Sequence, residues 1–142
     1  MNQPKVSIVV PIYNLEQDVP RCLDALVNQT LEEIEILCVN DGSKDSAPQI
    51  IEDYKSRYPN KVKTFHKENG GEWSARTYGL KQATGEFVGF IDSDDIPEVT
   101  WAEKLYNAAI ENDADISFSG YDRVDLDTEK VVSTEMTQHG IM

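Results

Sequence analysis

Four short apolar runs, each stopping abruptly at polar, turn-forming residues, constrain this chain more than any other feature. Val6-Ser7-Ile8-Val9-Val10-Pro11 gives way to Ile12-Tyr13-Asn14, and Glu35-Ile36-Leu37-Cys38-Val39 gives way to Asn40-Asp41-Gly42-Ser43. Val62 to His66 alternates and is followed by Asn69-Gly70-Gly71, while Glu86 to Ile91 runs directly into Asp92-Ser93-Asp94-Asp95. Short β-branched runs bounded by turn residues predict buried strands. Helical spacing fills the intervals. It places Val19, Cys22, Leu23, Leu26 and Val27 on a helix over 18–29, and Ile50, Ile51 and Tyr54 on one over 46–57. Trp73, Arg76, Leu80 and Ala83 then form the expected apolar side of a helix over 72–83. Pro97 suits the first turn of a helix over 98–112, and 114–121 is a candidate fifth strand. Strand and helix alternating through short links predict an α/β fold, a mainly parallel sheet flanked by helices on both faces.

The 142 residues suit a single domain over 1–142, with a weakly patterned tail over 122–142 that would form a hairpin, a lid or a partner-dependent segment. Acidic residues outnumber basic ones 26 to 13, for a formal charge of −13. That excess excludes a sequence-independent grip on nucleic acid and simple adhesion to an anionic membrane, both of which need a basic face. No run of about 18 apolar residues offers a transmembrane helix, and the first residues lack a signal-peptide core. Cys22 and Cys38 fall in a helix and a strand without metal-ligand spacing, so they are expected to be buried thiols in a reducing compartment.

In an open α/β sheet, ligands bind beyond the carboxyl ends of the strands. Here those ends carry Pro11 and Tyr13, then Asp41, then Asp92, Ser93, Asp94 and Asp95. Three carboxylates within four residues repel one another unless a cation or hydrogen-bond donors offset them. Mg²⁺ or Mn²⁺ suits such all-oxygen ligands and would neutralise a diphosphate, although an Asx-rich turn capping the next helix would use the same residues. Asp41 fits either a turn and helix cap or an acceptor for a base N–H. Tyr13 fits a stacking surface or a rim aromatic. Arg76 needs a partner, either a structural carboxylate or a nucleotide, and Gly70-Gly71 would allow close backbone approach to a phosphate.

Several chemistries are excluded. Neither G-x-G-x-x-G nor G-x-x-x-x-G-K-[ST] occurs, and the acidic stretch lacks EF-hand spacing. Ser43, Ser74 and Ser93 have no G-x-S-x-G setting. His66 and His139 have no metal-ligand spacing around them.

Taken in order, Val6 to Asn14, Cys22-Leu23 through Gln29-Thr30, Val39 to Asp45, Asn69-Gly70-Gly71, Ser74-Ala75-Arg76, Tyr78-Gly79-Leu80, Ala83 to Glu86 and Phe90 to Asp95 resemble family 2 glycosyltransferases. The resemblance implies a GT-A fold whose Rossmann-like half binds a nucleotide-sugar, most commonly a UDP-sugar. It implies that Pro11 and Tyr13 line the nucleobase pocket and that Asp41 bonds the base. Arg76 would hold the base or phosphate region, Asp92 and Ser93 would lie on the ribose or sugar side, and Asp94 would be the main metal ligand of an Asp-X-Asp motif. Asp95 would support the turn. Thr77 departs from the Asn that many relatives carry after this arginine. The family inverts at the anomeric carbon with an Asp or Glu base in a downstream acceptor half. Asp122, Asp125 and Asp127 do not fit that role, so the chain is expected to be the donor-binding part of a longer enzyme. Its acceptor would be a carbohydrate or glycolipid of the cell surface. The setting would be cytoplasmic, or peripheral at the inner face of the membrane in the full-length protein.

Two other classes compete. A sugar nucleotidyltransferase would want a Gly-rich, basic loop after the first strand, which Pro11-Ile12-Tyr13-Asn14 does not offer. A non-catalytic nucleotide-binding module would keep the fold without the transfer step.

Overall fold

The computed structural model describes residues 3–117, 119–124 and 131–135. The chain divides into two compact units, Met1–Glu103 and Lys104–Met142. The first holds four strands, β1 (Val6–Ile12), β2 (Ile34–Asp41), β3 (Val62–Lys67) and β4 (Phe87–Phe90). They form one sheet in the order β3-β2-β1-β4, and every neighbouring pair is parallel. All residues of β1 and β2 are buried, which is why they read as continuous apolar runs rather than alternating ones.

Pro11 does not end β1, which continues to Ile12. The β1–β4 register stops at Val9–Phe90, and Ile91 N donates to Val9 O. Val9 and Pro11 face the same side of the strand, so the missing proline N–H falls where the ladder has already ended.

Helices α1 (Val19–Val27), α2 (Ala47–Arg57) and α3 (Glu72–Gln82) connect the strands. Both α1 and α2 carry proline in their first turn, where its missing N–H costs nothing. One face of the sheet presents Val9, Leu37 and Val39, packed with Ala75 of α3 and bordered by Phe65, Tyr78 and Val88. Alternation turns Ile8, Val10, Ile36 and Cys38 to the other face, and all four are fully buried. There α1 and α2 supply Cys22, Leu23, Leu26 and Ile51, and Tyr54 Oη of α2 donates to Asp24 of α1 at 2.6 Å.

Two expectations fail on α3. Trp73 and Leu80 are not on its packed side: they are 78% and 50% exposed, while Ala75 is fully buried and Gly79 is also buried. A Cβ at Gly79 would stand 2.4 Å from Val9 Cγ1, so the helix approaches β1 more closely than any side chain would permit. Small residues make that contact, and the larger ones are left outside.

Helix α4 covers Trp101–Glu111, starting later than expected, and Pro97 lies in the segment before it rather than in its first turn. In the second unit, the described residues of 114–117 are not a strand. Instead β5 (Tyr121–Val124) pairs antiparallel with β6 (Val131–Glu135) in a separate two-stranded sheet. Asp122 lies in β5, whereas Asp125, Asp127 and His139 lie outside the described residues. Among those described, no helix is long and apolar enough to cross a membrane.

Candidate functional site

Because all four strands are parallel, their carboxyl ends share one edge and their following loops meet there. The loops after β1 and β2 are stitched together. Asn14 N donates to Ser43 Oγ at 3.1 Å, and Lys44 N donates to Asn14 Oδ1 at 2.8 Å. Glu16 N donates to Asp45 Oδ2 at 3.0 Å, and Ser46 N donates to Glu16 Oε2 at 2.8 Å. Asn14 takes a φ of 53°, a left-handed conformation that asparagine tolerates. Pro11 is buried beneath this corner, and Tyr13 stands at its rim, 47% exposed.

Asp41 closes β2 and fastens the loop that follows β3. Its Oδ1 accepts from Lys67 Nζ at 2.8 Å and Gly70 N at 3.0 Å. Its Oδ2 accepts from Asn69 Nδ2 at 3.2 Å and Gly71 N at 2.9 Å. Burial pushes this carboxyl upward, but the Lys67 ammonium and the Gly70 and Gly71 amides outweigh it and hold Asp41 below the usual carboxylate range. Four donors fill the roughly four lone-pair positions of a carboxylate. Gly42 completes the junction: at φ +75° it lies so close that a Cβ there would meet Asn69 N at 2.8 Å. Asp41 is therefore not the cap of the following helix.

After β4 comes the acidic turn, closed by Asp95 N donating to Asp92 O at 3.0 Å. Carboxylate oxygens of Asp92, Asp94 and Asp95 all lie within 4.8 Å of one another. Partial burial first, then the neighbouring charges of Asp94 and Asp92, push Asp95 above its ordinary pKa. Below the turn, Cys22 Sγ lies 3.8 Å from Asp92 O, and its pKa is pushed up to about 12 by burial and then by the same three carboxylates. Ser93 is 1% exposed, and its hydroxyl is buried without a partner among the described residues. Three clustered oxygen donors at the open end of a turn fit a hard divalent cation.

Arg76 reaches from α3 to the acidic turn. Its Nη2 donates to Asp92 Oδ1 at 2.8 Å and to Glu72 Oε1 at 2.7 Å, while its Nε is buried without a partner among the described residues. Trp73, Arg76, Thr77, Leu80 and Phe90 line a recess of about 350 Å³ beside it.

The structure thus gathers Tyr13, Asp41, Arg76, Asp92 and Asp94 along one edge, with Pro11 and Ser93 buried beneath it. Lys67 and Glu72 escaped the sequence reading. Each acts through a residue distant in sequence or on an exposed helix face, and no local pattern marks either one. His66 is held between Asn40 and Glu52, as befits a strand-edge histidine. Cys22 and Cys38 are free and buried, as expected.

A parallel α/β sheet with an acidic turn at its carboxyl edge defines an open α/β class in which ligands bind beyond the strand ends, and comparison with known proteins narrows it. Residues 7–139 match glycosyl transferase family 2, so the chain belongs to that family. The glycosyltransferase EpsJ of Bacillus subtilis is 37% identical over 139 residues, which is 98% of this chain and 40% of that protein. The chain therefore spans well under half the length of this relative. The fold is similar to residues 1–349 of S. aureus TarS bound to UDP, with a TM-score of 0.72 and 35% identity over 78% of this chain and 33% of that one. TarS is also similar in its complex with UDP-GlcNAc, with a TM-score of 0.70 and 35% identity over 78% of this chain and 32% of that one. The mannosyltransferase PcManGT of Pyrobaculum calidifontis, in complex with GDP-Man and Mn²⁺, gives a TM-score of 0.67 and 25% identity over 88% of this chain and 36% of that one. The fold is thus the GT-A type expected from the sequence.

Proposed function

We propose that this chain is the donor-binding half of a metal-dependent, inverting glycosyltransferase that takes a UDP-sugar. The observation that carries this reading is the Arg76–Asp92 contact, which ties α3, the helix after the Asp41-held loop, to the acidic turn. TarS binds UDP and UDP-GlcNAc, and PcManGT binds GDP-Man with Mn²⁺, which supports a nucleotide-sugar and a divalent ion here.

In this account Tyr13 offers a ring face to the nucleobase, with Pro11 as the floor beneath it. Asp41 is the acceptor for a base N–H, which must displace one of the four donors already on its carboxylate. Arg76 places positive charge beside the ribose and diphosphate. Asp94 is the principal ligand of Mn²⁺ or Mg²⁺, with Asp92 on the sugar side and Asp95 supporting the turn. Ser93 lies beneath the sugar side and contributes through its backbone position. The bound ion supplies positive charge that stabilises the departing diphosphate. The acceptor is a carbohydrate or glycolipid. The enzyme works in the cytoplasm, at or near the inner face of the membrane.

Calorimetric titration with UDP in Mn²⁺ tests this reading. Binding that disappears with excess chelator supports it; binding indifferent to the chelator, or none at all, contradicts it.

A further inference from the structure

Gln29, at the end of α1, is 4% exposed and spends its whole carboxamide on hydrogen bonds. Its Nε2 donates to Ala25 O at 3.0 Å and to Glu98 O at 2.7 Å, and its Oε1 accepts from Ala102 N at 2.9 Å. Next to it, Thr30 N donates to Val99 O at 2.8 Å, and Thr30 Oγ1 donates to Glu103. The end of α1 thus grips residues 98–103, and Gln29 satisfies one of the orphan N–H groups in the first turn of α4.

That grip lies a short way from the acidic turn. Only Ile96 and Pro97 separate Asp95 from Glu98. Pro97 is buried, its ring fixes its own φ, and it biases Ile96 towards an extended conformation. With so little slack, a shift at Glu98 is passed to Asp94 and Asp95. At its other end the turn is anchored by β4, by Asp95 N on Asp92 O, and by Arg76 on the Asp92 carboxylate. Gln29 is the anchor on the far side.

We propose that Gln29 is a positioning residue for the cation site at the Asp92–Asp95 turn, acting through residues 98–102 without touching ion or nucleotide. This rests on the donor-binding reading above. It differs from a packing role, because a buried amide with three long-range and local partners fixes a backbone path that an apolar side chain of the same size would leave free.

Two variants test it. Gln29→Leu removes all three bonds, and Gln29→Glu keeps the shape but removes the donors to Ala25 and Glu98. Circular dichroism establishes which of them fold. Mn²⁺ affinity is read by electron paramagnetic resonance with UDP present, and backbone hydrogen exchange is read on the protein without Mn²⁺ or UDP. The expected result is Mn²⁺ binding weakened about tenfold, the lower end of the loss seen when a direct partner of a metal ligand is removed, and a change under about twofold in a folded variant overturns the proposal. Exchange should quicken across 92–102 while β1 and β2 keep their protection; unchanged exchange there equally overturns it. A merely structural role would lower the melting temperature without moving the Mn²⁺ affinity well below it. If the unaltered protein binds no Mn²⁺, the donor reading fails, and the exchange measurement alone decides whether Gln29 holds the turn.

Discussion

Arg76 Nη2 stands 2.8 Å from Asp92 Oδ1 and 2.7 Å from Glu72 Oε1, so one guanidinium nitrogen serves two carboxylates at the edge of the proposed donor site. The side chains of Arg76 and Asp92 remain 32% and 43% exposed. A pair this open contributes under about 1 kcal/mol to stability. Arg76→Ala is therefore expected to leave the urea unfolding midpoint close to that of the unaltered protein while abolishing UDP binding in Mn²⁺. A large stability loss in urea titrations would assign Arg76 to the fold instead.

Asp41 predicts the reverse balance. Its carboxylate is nearly fully buried, is paired with a Lys67 side chain only 16% exposed, and also holds two backbone amides of the next loop. Removing one member of such a pair leaves the others unsatisfied and costs about 3–5 kcal/mol. Asp41→Ala should lower the free energy of unfolding in urea by that amount, and 69–71 should lose hydrogen-exchange protection.

Glu35 supplies a control at the opposite edge of the sheet. Its Oε1 accepts from Ser7 Oγ at 2.6 Å and from Thr84 N and Oγ1, both at 2.8 Å, while Lys63 Nζ donates to Oε2 at 2.5 Å. Burial pushes its pKa up, but Lys63, Ser7 and Thr84 together bring it below the usual range. A depressed folded pKa means that stability is fully present above the unfolded value of about 4.3 and is lost as pH falls through the folded one. Glu35→Gln should lower stability at neutral pH, flatten the acid limb of a urea-midpoint profile, and leave UDP binding intact. A Glu35→Gln protein with the steep acid limb unchanged would contradict this.

Much of this was legible in the residues themselves. The strands were visible because Ile8 to Pro11 and Ile36 to Val39 are unbroken apolar runs, as suits strands covered on both faces. The acidic turn was visible because Asp92 to Asp95 follows such a run directly. Helix α3 was misread because hydropathy favours Trp73 and Leu80, whereas close approach to Val9 selects Ala75 and Gly79. The fifth strand was misplaced because a weak apolar run before Tyr121 carries no information about an antiparallel partner ten residues further on. The clasp on Asp41 and the grip of Gln29 join residues 26 to 73 positions apart, and nothing local announces such pairings.

The central claim is that Asp94 holds a divalent ion through which the nucleotide diphosphate binds. Asp94 is exposed at the tip of the turn, so Asp94→Ala should fold with unchanged stability. Titrating UDP into the unaltered and Asp94→Ala proteins, each in Mn²⁺, tests the claim most directly. The account predicts binding to the first and none to the second. Equal UDP affinity in the two proteins would contradict it.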